Sequence, residues 1–393
     1  MARIVLGSYL VRYPLGGMMS WVLQYLVGFS QLGHEVYFVE KSGYPNACFD
    51  PEHKRMTDDC RFGTRTVNEL LTRQGLGDRW CFVDQQNVYH GLPRPVIEDI
   101  VANADLFIDM GTHGSWREEA SSAGLNVLLD GEPAFTQLKM EQKAARGQQS
   151  DDYNAYYTTG RNIGTSDSTA PTGGREWRHL FHPVSTQLIE PTPLPDWGRY
   201  TTVMNWQSYE PVEFNGIRYC HKDVEFEKFI NLPAKVGVPL EVAVSGAVPR
   251  ERLMAAGWHL RSAHEVTQTF DSFFNYIRAS RGEFGVCKSG YVVSNSGWFS
   301  DRSAAYLAAG RPVVLQETGF SRHLPTGRGL FAVSDADEVT SALEQIEAAP
   351  ARHGCWAREI AEEYLATAVV LGKFLDELGI TAPQPGSLAG VNP

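Results

Sequence analysis

Residues 294–314 read SNSGWFSDRSAAYLAAGRPVV, and this stretch decides how the chain is understood. A small-residue turn at Ser296-Gly297 leads to Ser300, a suitable helix N-cap, and to Asp301, whose carboxylate complements the dipole of a first helical turn. Ala308-Ala309-Gly310 closes the helix, and Pro312 opens an apolar, β-branched run of the kind buried parallel strands carry. Turn, helix, glycine and strand in that order form part of an α/β unit. Amides exposed at a helix start also suit a phosphate. An ordinary capped helix between two strands would show the same residues.

The alternation extends in both directions. Residues 201–205, 239–245 (closed by Gly246) and 311–316 read as strands. Residues 224–230, 270–280, 300–309, 336–348 and 351–378 have helical character. At the other end, strand 3–8, a turn holding Gly16-Gly17, helix 20–32, Gly33 as C-cap and strand 34–40 make a right-handed crossover unit. Residues 105–109 and 125–130 read as further strands. The loops after them, 110–115 and Gly131-Glu132-Pro133, lie beyond strand carboxyl ends, where open α/β sheets collect ligands. Pro183, Pro191, Pro193 and Pro195 lead into Asp196-Trp197 and mark a boundary. The expected organisation is a first domain over 1–183, a linker over 184–198, a second domain over 199–380 and a fraying tail over 381–393.

Composition sets the class. The chain has 393 residues with 43% hydrophobic and 21% charged, which excludes wholesale disorder. Its 35 basic and 46 acidic residues leave a net charge of −11, which weighs against holding nucleic acid through global charge. The six cysteines form no CxxC pair, so neither a zinc finger nor a disulfide scaffold is expected, and a reduced cytoplasm fits. No signal peptide or membrane-spanning run is visible, and GxSxG, HExxH, Walker A and GxGxxG motifs are absent.

Several residues suit chemistry at a cleft. His113, between Gly111 and Gly114, has the neutral-range imidazole of a base that takes a hydroxyl proton. Asp130 and Glu132, ending the next strand, are alternatives to it, and Asp109 fits a structural place better. Gly16-Gly17 permits close backbone approach or simply a tight turn. Trp116, Trp177, Trp206 and Trp298 suit sugar or base platforms, though tryptophan is more often core.

Residues 294–314 resemble the donor-binding segment of two-domain glycosyltransferases of the GT-B fold, distantly glycogen-synthase-like. Gly282–Lys288 (GEFGVCK), Gly290-Tyr291-Val292, Thr318-Gly319-Phe320, residues 200–206 and residues 216–226 (GIRYCHKDVEF) resemble a bacterial glycosyltransferase group. The resemblance implies an α/β protein with two Rossmann-like domains facing a cleft, the C-terminal helices packing back on the first domain. It implies a metal-independent transferase whose co-substrate is a nucleoside-diphosphate sugar, with a small-molecule or glycan acceptor and no other cofactor. The donor would meet Gly16, Gly17, Lys222, Ser245, Gly246, Glu283, Lys288, Ser296, Gly297, Trp298, Phe299, Ser300, Asp301, Arg302, Thr318 and Gly319. Lys288, then Lys222 and Arg302, would carry the charge for the diphosphate. Retaining members carry a pair of glutamates beside the donor. Aligned on the Gly-x-Pro-Val-Val end, those places hold Gly297 and Ala305, so the ribose-binding carboxylate falls to Glu283 or Asp301 and the stereochemical outcome is open. DNA-glucosylating enzymes and sugar-nucleotide epimerases share this fold. A hydroxymethylated DNA base as acceptor, an epimerase, and a non-catalytic nucleotide-binding protein are therefore the alternatives.

Overall fold

The computed structural model describes residues 1–112, 114–148, 152–208 and 210–380. His113 and the 381–393 tail, singled out above, lie outside the described residues. The first sheet comprises β1 (Arg3–Gly7), β2 (Glu35–Lys41), β3 (Trp80–Val83), β4 (Tyr89–Gly91), β5 (Leu106–Asp109), β6 (Leu125–Asp130), β7 (Ala155–Thr158) and β8 (Trp177–His179). Their spatial order is β8-β7-β6-β5-β1-β2-β3-β4, parallel throughout except for the antiparallel β3–β4 edge. Ile4, Val5 and Leu6 of β1 are fully buried, as a central strand covered on both faces requires.

The second sheet is wholly parallel. It comprises β9 (Tyr200–Asn205), β10 (Leu240–Ser245), β11 (His259–Ser262), β12 (Gly282–Gly285), β13 (Val313–Gln316) and β14 (Leu330–Val333), in the order β11-β10-β9-β12-β13-β14. This is the two-domain α/β architecture the sequence implied. Among the described residues no helix is long and apolar enough to cross a membrane.

Two elements differ from expectation. The first helix begins at Gly16 rather than residue 20, so Gly16-Gly17 forms its first turn and not the turn before it. An ideal Cβ on Gly16 would sit 2.4 Å from the Thr269 carbonyl oxygen and 2.6 Å from Phe273 Cβ, so the glycine lets the helix abut the second domain. The long helix expected over 351–378 is broken into Pro350–Ile360 and Thr367–Glu377. At the break Val184 donates to the Leu365 carbonyl (2.8 Å) and accepts from the Thr367 amide (3.1 Å), so the linker start takes backbone bonds that a continuous helix would have used. The last helix thereby returns to the first domain. Phe374 packs on Phe29 and Tyr157, and Gly28 gives way to Leu371.

The proline-rich linker is tied to the second domain. The buried Arg311 guanidinium donates to the Thr192 and Pro193 carbonyls, the Thr192 hydroxyl and the Arg278 carbonyl. Arg358 donates to the Ile189 and Thr186 carbonyls. Because no carboxylate lies among Arg311's partners, burial pulls it down to about 10.

Candidate functional site between the two domains

The carboxyl ends of both sheets face a cleft of about 580 Å³. Asp109, Met110 and Gly111 follow β5 into it, Asp130, Gly131 and Glu132 follow β6, Asn205 ends β9 and Ser245 ends β10. Gly17, Met18 and Trp21 come from one face of the first helix, and Trp298, Asp301 and Arg302 from the stretch that opened the sequence reading. Parallel sheets place loops at this edge, which is why strand-end residues from distant parts of the chain meet here.

The two aspartates that end strands are enclosed by their own loops. Asp109 accepts from the Thr112 and Gly114 amides (both 2.8 Å) and from the Tyr153 hydroxyl (2.7 Å), so its carboxylate is taken up within its own domain. Asp130 accepts from the Glu132 amide (2.8 Å), Thr136 Oγ1 (2.5 Å), Gln137 Nε2 (3.0 Å) and Thr158 Oγ1 (2.7 Å). Burial raises its carboxyl above the usual range, against the pull of those four donors. Glu132 turns the other way: it pairs with Lys288 of the second domain and accepts from Tyr291 Oη (3.0 Å). The cation expected at the diphosphate is thus bridged across the domains to one of the expected bases. A second bridge, Arg73 to Asp271 (2.8 Å), also joins the two domains.

In the second domain Arg302 donates from Nε to Glu283 Oε1 (2.6 Å) and from Nη1 to the Val203 carbonyl (2.9 Å). The pair is nearly dry, with side chains 11% and 0% exposed. Arg302 Nη2, Glu283 Oε2 and the hydroxyls of Ser296, Ser300 and Ser303 are buried and partnerless among the described residues. So is Trp298 Nε1. Of these, Arg302 and Trp298 line the cleft, and a buried donor left unmet there is costly unless a ligand meets it. Lys222 is buried beside them and makes no hydrogen bond or ion pair among the described residues. Burial, helped by the charge of Arg302, pushes its ammonium down to about 7.

The remaining expected donor residues take different places. Gly17, Ser245, Trp298, Asp301 and Arg302 line the cleft. Ser296, Gly297, Thr318 and Gly319 brace the loop behind it. The Gly297 amide donates to the Thr318 carbonyl, Thr318 Oγ1 to the Trp298 carbonyl, and the Asn162 amide of the first domain to the Ser296 carbonyl. Gly297 (φ +73°) and Gly319 (φ +95°) hold left-handed conformations against Asn162, where a Cβ would collide. Phe299 is buried against Phe181 and Phe320. Gly246 (φ +91°) turns the chain behind Ser245. Of the two carboxylates considered for the ribose, Glu283 stands behind Arg302, while Asp301 borders the cleft with no side-chain bond among the described residues.

Tyr9, Trp21, Lys139, His182, Asn205 and Phe273 line the cleft without having been singled out in the sequence. His182 accepts on Nδ1 from Trp21 Nε1 (3.2 Å), which puts its proton on Nε2, and burial lowers its basicity. No spacing in the sequence ties residue 21 to residue 182, so only the fold could reveal this pair. Among the described residues two clusters converge closely enough to hold a cation, Cys60/Asp84/His90 and Asp50/Glu52/His53, and neither lines the cleft.

No protein-family model matches the chain, and no curated protein matches it in sequence. Solved structures do match in fold. An α-glucosyltransferase in complex with UDP and a 13-mer DNA aligns over 96% of this chain and 99% of its own, with TM-score 0.59 and 11% identity. Sucrose-phosphate synthase from Thermosynechococcus elongatus aligns over 96% and 99%, with TM-score 0.53 and 13% identity. Anabaena HepE, in complex with UDP and glucose, aligns over 97% and 100%, with TM-score 0.55 and 10% identity. At such identities the likeness establishes a shared two-domain fold over nearly the whole chain.

Proposed function

We propose that the chain is a glycosyltransferase that moves a hexosyl or pentosyl group from a nucleoside-diphosphate sugar to an acceptor hydroxyl. The donor diphosphate would lie on the second domain and the acceptor on the first. The observation that carries this reading is the buried Arg302 on the cleft wall, whose Nη2 has no partner among the described residues, with Lys222 buried beside it and likewise without a partner among them. A guanidinium in a nearly dry wall, with a buried amine beside it that an anion would keep protonated, suits a dianionic leaving group, and Asp301 at the helix start makes such charge more necessary, because its carboxylate opposes an anion there. That UDP is bound in structural neighbours of both glucosyltransferase and HepE type supports the same class of donor.

In the proposed reaction the bond from the anomeric carbon to the diphosphate oxygen breaks, and its electron pair leaves with the diphosphate. The acceptor oxygen forms the new bond, and its proton passes to a base on the first-domain loops, His113 or Glu132. Asp130 is poorly suited to that task, since four donors already hold its carboxylate. Lys222 and Arg302 take the part a metal ion plays elsewhere, stabilising charge on the departing diphosphate. The test is a thermal-shift panel of UDP, GDP, dTDP, ADP and CMP. A ligand that binds only the folded chain raises its melting temperature, so one nucleoside diphosphate should stand out. A flat panel would overturn the reading.

A further inference from the structure

The first domain's share of the cleft carries information about the acceptor. Met18 and Trp21 stand on one helical face, Tyr9 follows β1, and Met110 and Leu129 complete an apolar wall. The Tyr9 ring meets the Trp21 ring edge-to-face, with centroids 5.8 Å apart and planes at 63°. The polar groups on this side are largely engaged within the protein: Trp21 spends its N–H on His182, Asp109 accepts three hydrogen bonds and Asp130 four. A glycan presents a hydroxyl on almost every carbon, and each one buried without a partner costs free energy. A duplex presents a row of phosphates, but the cations among the described lining residues are Lys139 and Arg302, and the donor reading already assigns Arg302 to the diphosphate. A volume of about 580 Å³ lies in the range of small-molecule sites, roughly 300–1,000 Å³.

We propose that the acceptor is a small hydroxylated aromatic molecule, a phenol or an aryl alcohol, seated against Trp21, Tyr9 and Met18. This rests on the transferase reading of the same cleft. Aromatic rings gain edge-to-face and sulfur contacts from these three side chains that an open-chain polyol does not.

The test is calorimetric titration of the full-length chain, saturated with whichever nucleoside diphosphate it binds. The probes are 4-nitrophenol, 4-methylumbelliferone, 2-naphthol, maltotetraose and a duplex containing hydroxymethylcytosine. At least one phenol should bind while the tetrasaccharide and the duplex do not. Trp21→Ala should weaken phenol binding about tenfold, the scale of one lost aromatic pair, and leave nucleotide affinity within about twofold. Met18→Gln is the second variant, should Trp21→Ala fail to fold, and it should weaken phenol binding in the same direction. A chain that binds nucleotide but only the tetrasaccharide, only the duplex, or none of the probes overturns this inference and leaves the transferase reading standing. A chain that binds no nucleotide overturns both.

Discussion

Arg302 is where the proposed donor site can be broken most cleanly. Its Nε–Glu283 contact of 2.6 Å is buried, and Glu283 Oε2 already lacks a partner among the described residues. Arg302→Met alone strands a buried carboxylate, at a cost of about 3–5 kcal/mol, so lost activity in that variant would mix folding with binding. Arg302→Met combined with Glu283→Met removes both charges from a dry pair, a replacement often neutral or stabilising when it packs well, so most of the stability should return. Nucleotide binding should not return with it. The lost guanidinium removes at least one charge-assisted hydrogen bond to the diphosphate, worth about 1.5–3 kcal/mol, or roughly 10- to 150-fold in Kd. Urea unfolding reads the first effect and calorimetric titration with the preferred nucleoside diphosphate reads the second. A double variant that is as stable as the parent and binds nucleotide equally well would refute the assignment of Arg302 to the diphosphate.

Lys222 makes the site pH-dependent. A bound diphosphate favours its protonated form, so nucleotide affinity should fall as pH rises above about 7, by up to about tenfold per pH unit, and Lys222→Met should flatten the profile. Stability should move the opposite way: between about pH 7 and pH 10 the unfolded chain holds a proton that the folded chain has lost, so urea midpoints should rise with pH. Gly16→Ala should force the first helix away from Thr269 and Phe273 and lower both stability and turnover, whereas Gly17→Ala, whose Cβ meets nothing within 4 Å, should fold normally and raise KM. Asp130→Asn turns an acceptor toward four donors into a group that must itself donate. It should cost about 1–3 kcal/mol in thermal or urea unfolding, with activity per folded molecule largely kept. A catalytic base at Asp130 would show the reverse.

The sequence by itself determined the two-fold α/β plan. Buried parallel strands must be continuous apolar runs and their crossover helices must be punctuated, so RIVLG, LNVLLD, LEVAVS and PVVLQ announced themselves with their flanking glycines. It also pointed to the helix at Asp301, because helix caps are local signals, while Lys288, Lys222 and Arg302 were singled out for a diphosphate through the family resemblance. What only the tertiary structure decided is which of those residues face the cleft and which brace it. Ser296 and Gly297 look like a phosphate-binding turn in sequence, yet Asn162 and Thr318 hold that loop from behind. Lys288 and Glu132 looked like separate actors and are joined as an ion pair across the domains. The break at Ala366 depends on a strand-like contact with Val184, and the Trp21–His182 pair spans 161 positions. Periodicity and capping act over a few residues and so can be read along the chain. Hydrogen-bond saturation and the facing of two domains depend on residues brought together from far apart, and these exist only once the chain has folded.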